Sequence, residues 1–267
     1  MGFLTDLTSD LRDRFAADPP DLDALRAAAA AAPPARDLAT ALAATAGDGV
    51  LALIAEVKRA SPSAGAIAPA ADPARQAGAY VRAGASAVSV LTEAVHFGGS
   101  LDDLIAVRAA VDVPVLRKDF VVHEAQVLEA RAAGADSLLL ITACLDDREL
   151  AALLAASRSV GMEPLVETHD DRDVARALAT DARIVGINAR DLETLAVDVP
   201  ASLARMRVVG DDRIVVAESG IRDHEDVRAA AAAGASAILV GETLMRAEDP
   251  GAVVRALLHG AGAQEAR

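Results

Sequence analysis

Three stretches of this chain repeat one design. AGASAVSVLTE (83–93), AAGADSLLLIT (132–142) and AAGASAILVGE (232–242) each pass from an alanine-rich helical end, through a glycine and a small-residue turn, into an apolar strand. A glycine just past the last turn stops a helix, and the strand begins within a few residues. Units of this kind build βα modules and a parallel sheet, not a sandwich of antiparallel sheets. Eight strand candidates follow the pattern, at 51–58, 86–92, 113–118, 137–142, 163–168, 184–188, 213–218 and 236–240. All are short and apolar, as strands buried on both faces are. Helical stretches separate them at 73–83, 101–110, 123–133, 146–159, 170–179, 199–207, 223–233 and 249–258, several with a cap such as Asp72 before Pro73, or Asp223. Eight such units are the count that closes a (β/α)8 TIM barrel, and a chain of 267 residues suits one. A doubly wound open sheet would need two domains here, and no linker is visible.

The expected organisation is an N-terminal helical extension over 1–48, a single barrel domain over 49–260 and a frayed tail over 261–267. The extension is broken at Pro19-Pro20 and Pro33-Pro34. A barrel does not require it, so it is expected to close the bottom or to reach over the active-site rim.

The formal net charge is −14 and the pI about 4.7. Such a chain is a poor partner for nucleic acid or for an anionic membrane surface. An anion bound by it must meet local positive charge and backbone amides. The single cysteine, Cys144, excludes an intramolecular disulfide. It follows an apolar strand and reads as a buried small hydrophobe. No signal-like segment and no bilayer-length apolar stretch is present, so a cytoplasmic protein is expected, as a monomer or weak homodimer.

The basic residues carry the sharpest chemical signal. Of 26, only Lys58 and Lys118 are lysines. Arginine is a planar fork that keeps its proton, whereas a lysine's pKa can be moved by burial. Both lysines end short apolar runs, LALIAEVK and VPVLRK, and the C-terminal ends of parallel strands are where α/β folds place their chemistry. A lysine acid works best with its pKa lowered towards neutrality, which a partly desolvated strand end can supply. The chain also has only five aromatic residues, and two of them, Phe97 and Phe120, follow strands. They suggest a pocket for a flat apolar group beside charged chemistry.

Other strand ends are equally polar. The first offers Glu56 and Lys58, which alternation puts on one side of the strand, then Ser61 and Ser63. Glu167, Asn188, Arg190 and Glu218 end later strands, and a carboxylate at the end of an apolar run is costly unless paired. ESGI (218–221) and VGETLM (240–245) fit the backbone phosphate cradle that barrels build from their last two βα loops. There Ser219, Gly220 and Gly241 would contribute with Glu242, by its amide and with its carboxylate turned away. No histidine pair has metal spacing, and no Gly-rich dinucleotide fingerprint occurs. His96, His123 and His169 read first as loop or helix-cap residues.

In their order along the chain, IAEVKRASPSAG (54–65), SVLTE (89–93), FGGS (97–100), LRKDF (116–120), LLLI (138–141), INARDL (187–192), ESGI and VGETLM resemble the motif series of the indole-3-glycerol phosphate synthase family. The resemblance covers about 50–247 and implies a phosphate-binding barrel with an extra N-terminal helical segment and no metal or organic cofactor. It also implies a phosphorylated small-molecule substrate, 1-(2-carboxyphenylamino)-1-deoxyribulose 5-phosphate, closed to indole-3-glycerol phosphate with loss of CO2 and water. By the same resemblance Lys118 is the general acid of ring closure and Glu167 an acid/base in dehydration. Lys58 lies near the phosphate and carboxylate, Glu56, Asn188 and Glu218 orient substrate and lysines, and Arg190 belongs to the same wall. Phe97, Phe120 and Leu139 line the anthranilate ring. Ser219, Gly220, Gly241 and Glu242 hold the phosphate, and Ser61 and Ser63 sit on a mobile first loop. Two positions depart from the pattern: His96 precedes FGGS where an aromatic is common, and Glu242 stands where serine often does.

Other readings of the same residues are a Schiff-base aldolase using a strand-end lysine, and a silent barrel that only binds a phosphate ligand. A sister isomerase barrel would end its first strand with a cysteine, where this chain has Lys58.

Overall fold

The computed structural model describes residues 2–45 and 50–260; the expected tail at 261–267 and the junction at 48–49 lie outside the described residues. Ahead of the first strand come α1 Phe3–Ala17, α2 Leu22–Ala31 and α3 Leu38–Thr45. Eight parallel strands then close on themselves: β1 Ala52–Val57, β2 Ala87–Leu91, β3 Val115–Lys118, β4 Ser137–Ile141, β5 Leu165–Thr168, β6 Ile184–Asn188, β7 Ile214–Glu218 and β8 Ala237–Val240. The last strand returns to the first, with Ala52 beside Ala237 and Ala55 beside Val240. Outside them run α4 Pro73–Arg82, α5 Leu101–Ala110, α6 Glu124–Ala132, α7 Asp147–Ser159, α8 Asp171–Leu178, α9 Val199–Val209 and α10 His224–Ala232. The ring is completed by the one-turn α11 Glu242–Met245 and by α12 Pro250–His259. The (β/α)8 barrel is thus present, with α11 an extra turn that the alanine-rich pattern did not separate. A two-stranded ribbon, Ala60–Ser61 with Gly65–Ala66, also shapes the loop after β1.

The repeated helix–glycine–strand unit works as its sequence requires. Gly84, Gly134 and Gly234 take φ of 109°, 91° and 97°. The next amide, that of Ala85, Ala135 or Ala235, turns back to the carbonyl of Tyr80, Ala130 or Ala230. This closes the helix end and aims the chain at the next strand. Asp72 and Asp223 cap their helices through side-chain oxygens, as expected.

The N-terminal segment reaches both ends of the barrel. Leu38, Ala39 and Leu42 of α3 are fully buried and pack against β1, β2 and β7. Before α3, Arg36 donates its amide to buried Asp136 at 2.8 Å and a guanidinium N–H to the Val113 carbonyl, both just ahead of strands. Asp136 also accepts from the Val115 amide and pairs with Arg108 at 3.0 Å. By contrast α1 touches the opposite rim. Phe15 stacks on His123 after β3, Arg12 donates to the Cys144 carbonyl after β4, and Glu193 after β6 accepts the Leu4 amide. Cys144 is buried as expected, and burial pushes its thiol up to about 12.

Because Leu42 fills space at the far end of the barrel from the strand termini, Leu42→Ala is expected to lower stability by about 2–5 kcal/mol in urea unfolding. Turnover per folded molecule should stay unchanged; a variant of wild-type stability would show that α3 is not part of the core.

Candidate active site

The strand C-termini open into a cavity of about 680 Å³, the size of a small-molecule site. Every site residue selected from the sequence lines it. Glu56, Lys58, Ser61 and Ser63 come from β1 and its loop, Phe97 from the loop after β2, and Lys118 and Phe120 from β3 and beyond. Leu139, Glu167, Asn188 and Arg190 follow, then Glu218, Ser219 and Gly220, and finally Gly241 and Glu242 after β8.

Two lysine–glutamate pairs sit in the mouth. Lys118 Nζ donates to Glu167 Oε2 at 2.8 Å and lies 3.6 Å from Glu218. Lys58 pairs with Glu56 at 2.8 Å, as two residues on one side of a strand can. The three glutamates are only 3%, 1% and 2% exposed for Glu56, Glu167 and Glu218, so their charge must be matched inside the protein.

The expected lowering of the Lys118 pKa does not occur. Burial pushes it down, but the charges of Glu167, Glu218 and Glu56 outweigh burial and raise it above the ordinary lysine value. Lys118 therefore waits as a fully protonated donor, aimed by its bond to Glu167. The two acids around it are driven apart. Burial raises Glu167, yet Lys118 and His169 overcome this and hold it well below the usual carboxylate range. Glu218 is pushed well above that range, by burial first and by the charge of Glu167 second. Its oxygens have no hydrogen-bond donor. A proton on Glu218 removes that deficit, because the neutral carboxyl can donate towards Glu167. Paired titratable groups separated in this way divide into an ionised base and a protonated acid.

Two glycines make room for these acids. A Cβ on Gly241 would press on the Glu56 side chain, 3.1 Å from its Cδ. A Cβ on Gly186 of β6 would collide with the Glu218 carboxylate on the neighbouring strand. The sequence reading missed Gly186, although a glycine inside a β-branched strand is a known sign of close approach.

The same cavity has an apolar lining. The rings of Phe97 and Phe120 lie 6.2 Å apart at 46°, with Leu139 beside them. Leu195 and Val197 of the loop after β6 and Val199 at the start of α9, also unselected, line the cavity too. Asn188 accepts the Arg190 amide at 3.0 Å, and Arg190 ties that loop by donating to the Leu195 carbonyl. Backbone of the last two βα loops lines the cavity as well. Ser219 and Gly220 both take positive φ, of 62° and 77°, a strained turn for serine and typical of functional loops. Glu242 opens α11 with no side-chain cap on its amides, and its carboxylate runs along the helix to Arg246 at 3.0 Å. Arg246 lines the cavity too and was not selected.

Of the histidines, His123 caps α6 and His96 pairs with Glu93 in the loop after β2, so both are the loop or cap residues expected. His169 also stands in the loop after β5, but its Nε2 lies 3.1 Å from Glu167 Oε1, directly behind the cavity wall. Its spacing of two from Glu167 was the available signal, the same spacing that pairs Glu56 with Lys58. Among the described residues no group of three His, Cys, Asp or Glu side chains could hold a metal ion, and no helix is long and apolar enough to cross a membrane.

A family model for indole-3-glycerol phosphate synthase matches residues 10–257, which takes in every barrel strand and every cavity residue named above. The chain belongs to the indole-3-glycerol phosphate synthase family. It is 54% identical over 230 residues to indole-3-glycerol phosphate synthase 2 of Streptomyces coelicolor, covering 86% of this chain and 88% of that protein. The Micrococcus luteus synthase is 50% identical over 259 residues, with 96% and 97% covered. The Mycobacterium ulcerans synthase is 53% identical over 234 residues, with 88% and 85% covered.

The split between the two acids has a consequence for stability. Folded Glu218 keeps its proton above the value, about 4.3, at which an unfolded glutamate ordinarily titrates. Rising pH therefore removes stability until the folded value is passed. Glu167 has the opposite sign: its contribution is present above the unfolded value and is lost only as pH falls through its lowered folded value. Glu218→Gln is expected to flatten the fall in melting temperature between pH 5 and 8, read by calorimetry against wild type. An unchanged slope would show that Glu218 is ionised in the folded chain.

Proposed function

We infer that this chain closes the indole ring: it converts 1-(2-carboxyphenylamino)-1-deoxyribulose 5-phosphate to indole-3-glycerol phosphate, releasing CO2 and water. The observation that carries this reading is the Lys118–Glu167 pair at 2.8 Å, in one cavity with the Phe97 and Phe120 rings and the positive-φ turn at Ser219 and Gly220. Ring closure places a proton on the substrate carbonyl oxygen while the aromatic carbon that bears the carboxylate attacks the carbonyl carbon. Lys118, fully protonated, supplies that proton. The carboxylate then leaves as CO2, its bonding pair restores the aromatic ring, and the new hydroxyl remains on the ring. Dehydration needs a proton on that hydroxyl and a base for a ring proton. Glu167 is the acid/base of this step, and the Lys58–Glu56 pair is a second donor and acceptor within the same cavity. General acids and bases of this kind each contribute about 10²–10⁴ in rate.

Substrate binding divides along the cavity. Phe97, Phe120 and Leu139 hold the anthranilate ring, and Arg190 and Lys58 meet its carboxylate and the phosphate. Ser219, Gly220, Gly241 and the Glu242 amide cradle the phosphate, and Asn188, Glu56 and Glu218 orient the reacting groups. Ser61 and Ser63 stand on the loop that closes over them. The unpaired, buried Cys144 thiol supports a reducing, cytoplasmic setting. The aldolase reading needs Lys118 as a neutral amine, and the carboxylates around it hold its proton in place.

An indole-fluorescence assay with the carboxyphenylamino substrate tests the reaction. Lys118→Arg keeps the charge but offers a poor proton donor, and should lose about 10²–10⁴ in kcat; near-normal turnover would remove Lys118 as the acid. Gly241→Trp fills the cradle and displaces Glu56, so KM should rise and kcat fall together, and an unchanged KM would remove the phosphate assignment.

A further inference from the structure

Behind Glu167 lie charged groups that the proposed reaction leaves unused. Glu167 faces Lys118 with one oxygen, Oε2, and His169 with the other, Oε1, at 3.1 Å. The second ring nitrogen, Nδ1, lies 3.8 Å from Asp173 Oδ2 on α8, and Asp173 also accepts the His169 amide. Asp173 in turn lies 3.7 Å from Arg176, which anchors the loop after β4 through the Thr142 and Leu145 carbonyls. Lysine, carboxylate, imidazole, carboxylate and guanidinium thus succeed one another from the cavity to the outer helix. Six buried side-chain polar atoms among the described residues lack an aligned hydrogen bond, and four of them belong to His169 and Glu218, the neighbours of Glu167. Buried polar atoms left unpaired in a folded protein call for a functional explanation.

We propose that His169 is a positioning residue for Glu167: anchored by Asp173, it holds Oε1 from behind so that Oε2 stays on Lys118 and Glu167 stays ionised for its turn in the reaction. His169 does not line the cavity, so it acts through Glu167 and not on substrate. The groups facing it are Glu167 on β5, Asp173 on α8, Glu218 on β7 and, further off, Asp191 after β6. All are acidic. Burial opposes a charge on the ring, yet Asp173, Glu167 and Glu218 overcome it and raise His169 to about 9, so it is an imidazolium at neutral pH. The inference rests on the ring-closure reading above, because it gives Glu167 a task in which its ionisation matters.

His169→Asn keeps a polar amide near the position of Nδ1 and removes the charge that faces Glu167. Without the imidazolium, Glu167 takes up a proton more readily, so the acid limb of the kcat–pH profile should move up by about 1–3 pH units. KM should stay near wild type, and kcat near neutral pH should fall by up to about 10²-fold. In a Glu167→Gln background the same change should add nothing. An acid limb that does not move, a loss carried by KM, or a loss that persists in the Glu167→Gln background would overturn the proposal. Imidazole NMR of the otherwise unaltered protein gives a readout independent of turnover and of whether the asparagine variant folds. His169 should titrate near 9 and fall towards the ordinary histidine range in Glu167→Gln. A resonance already titrating in the ordinary range would overturn the contact itself. Wild-type protein that is folded but inactive on the substrate would instead strike the ring-closure reading, and the NMR titration would still decide the His169–Glu167 contact.

Discussion

Closure of the sheet between β1 and β8 is the constraint from which the rest of the site follows. Eight parallel strands in one closed ring put all their C-terminal ends on one face. Polar residues at or near several of these ends, Lys118, Glu167 and Glu218 among them, then face one another across a few ångströms. The β1–β8 ladder in particular carries Gly241 to the side of Glu56, and β6–β7 pairing sets Asn188 beside Glu218. The apolar bodies of the strands exclude water beneath this ring, and that exclusion makes the charges above it matter to one another.

Three buried glutamates in so small a space cannot all be ionised at low cost. The site resolves this with two lysines and with protons. Lys118 neutralises Glu167, Lys58 neutralises Glu56, and Glu218, left at 3.6 Å from a lysine already engaged, favours its neutral form. The lysines are thus counter-ions, and in the proposed reaction Lys118 is the proton donor too. A guanidinium could serve the first duty but not the second. The raised Lys118 pKa follows from its three carboxylate neighbours, and it is why desolvation alone was a poor guide to its state.

The N-terminal segment and the loops add what a bare barrel lacks. α3 fills the bottom beneath the strands, while α1 leans on loops after β3, β4 and β6 at the catalytic face. One segment therefore couples the core at one end to the site loops at the other. The row from Glu167 through His169 and Asp173 to Arg176 makes a similar link sideways, from the cavity to α8 and to the loop after β4.

The amino-acid sequence by itself determined the repeated βα unit, the count of eight, the parallel sense of the strands and the polar residues that end them. These are local matters: a glycine at a helix end, an apolar run, a cap and a lone lysine act on their neighbours in the chain. That locality is also why Glu56, Lys58, Lys118, Glu167, Asn188 and Glu218 could be read as one site before any contact was known. Only the tertiary structure decided which acid keeps its proton, that Lys118 is raised and not lowered, that Gly186 and Gly241 exist to admit carboxylates, and that His169 stands behind Glu167. Each of these depends on distances between residues far apart in the chain, 49 positions for Lys118 and Glu167. Coulomb energy and desolvation vary steeply with such distances and with burial, and neither is set until the barrel has closed.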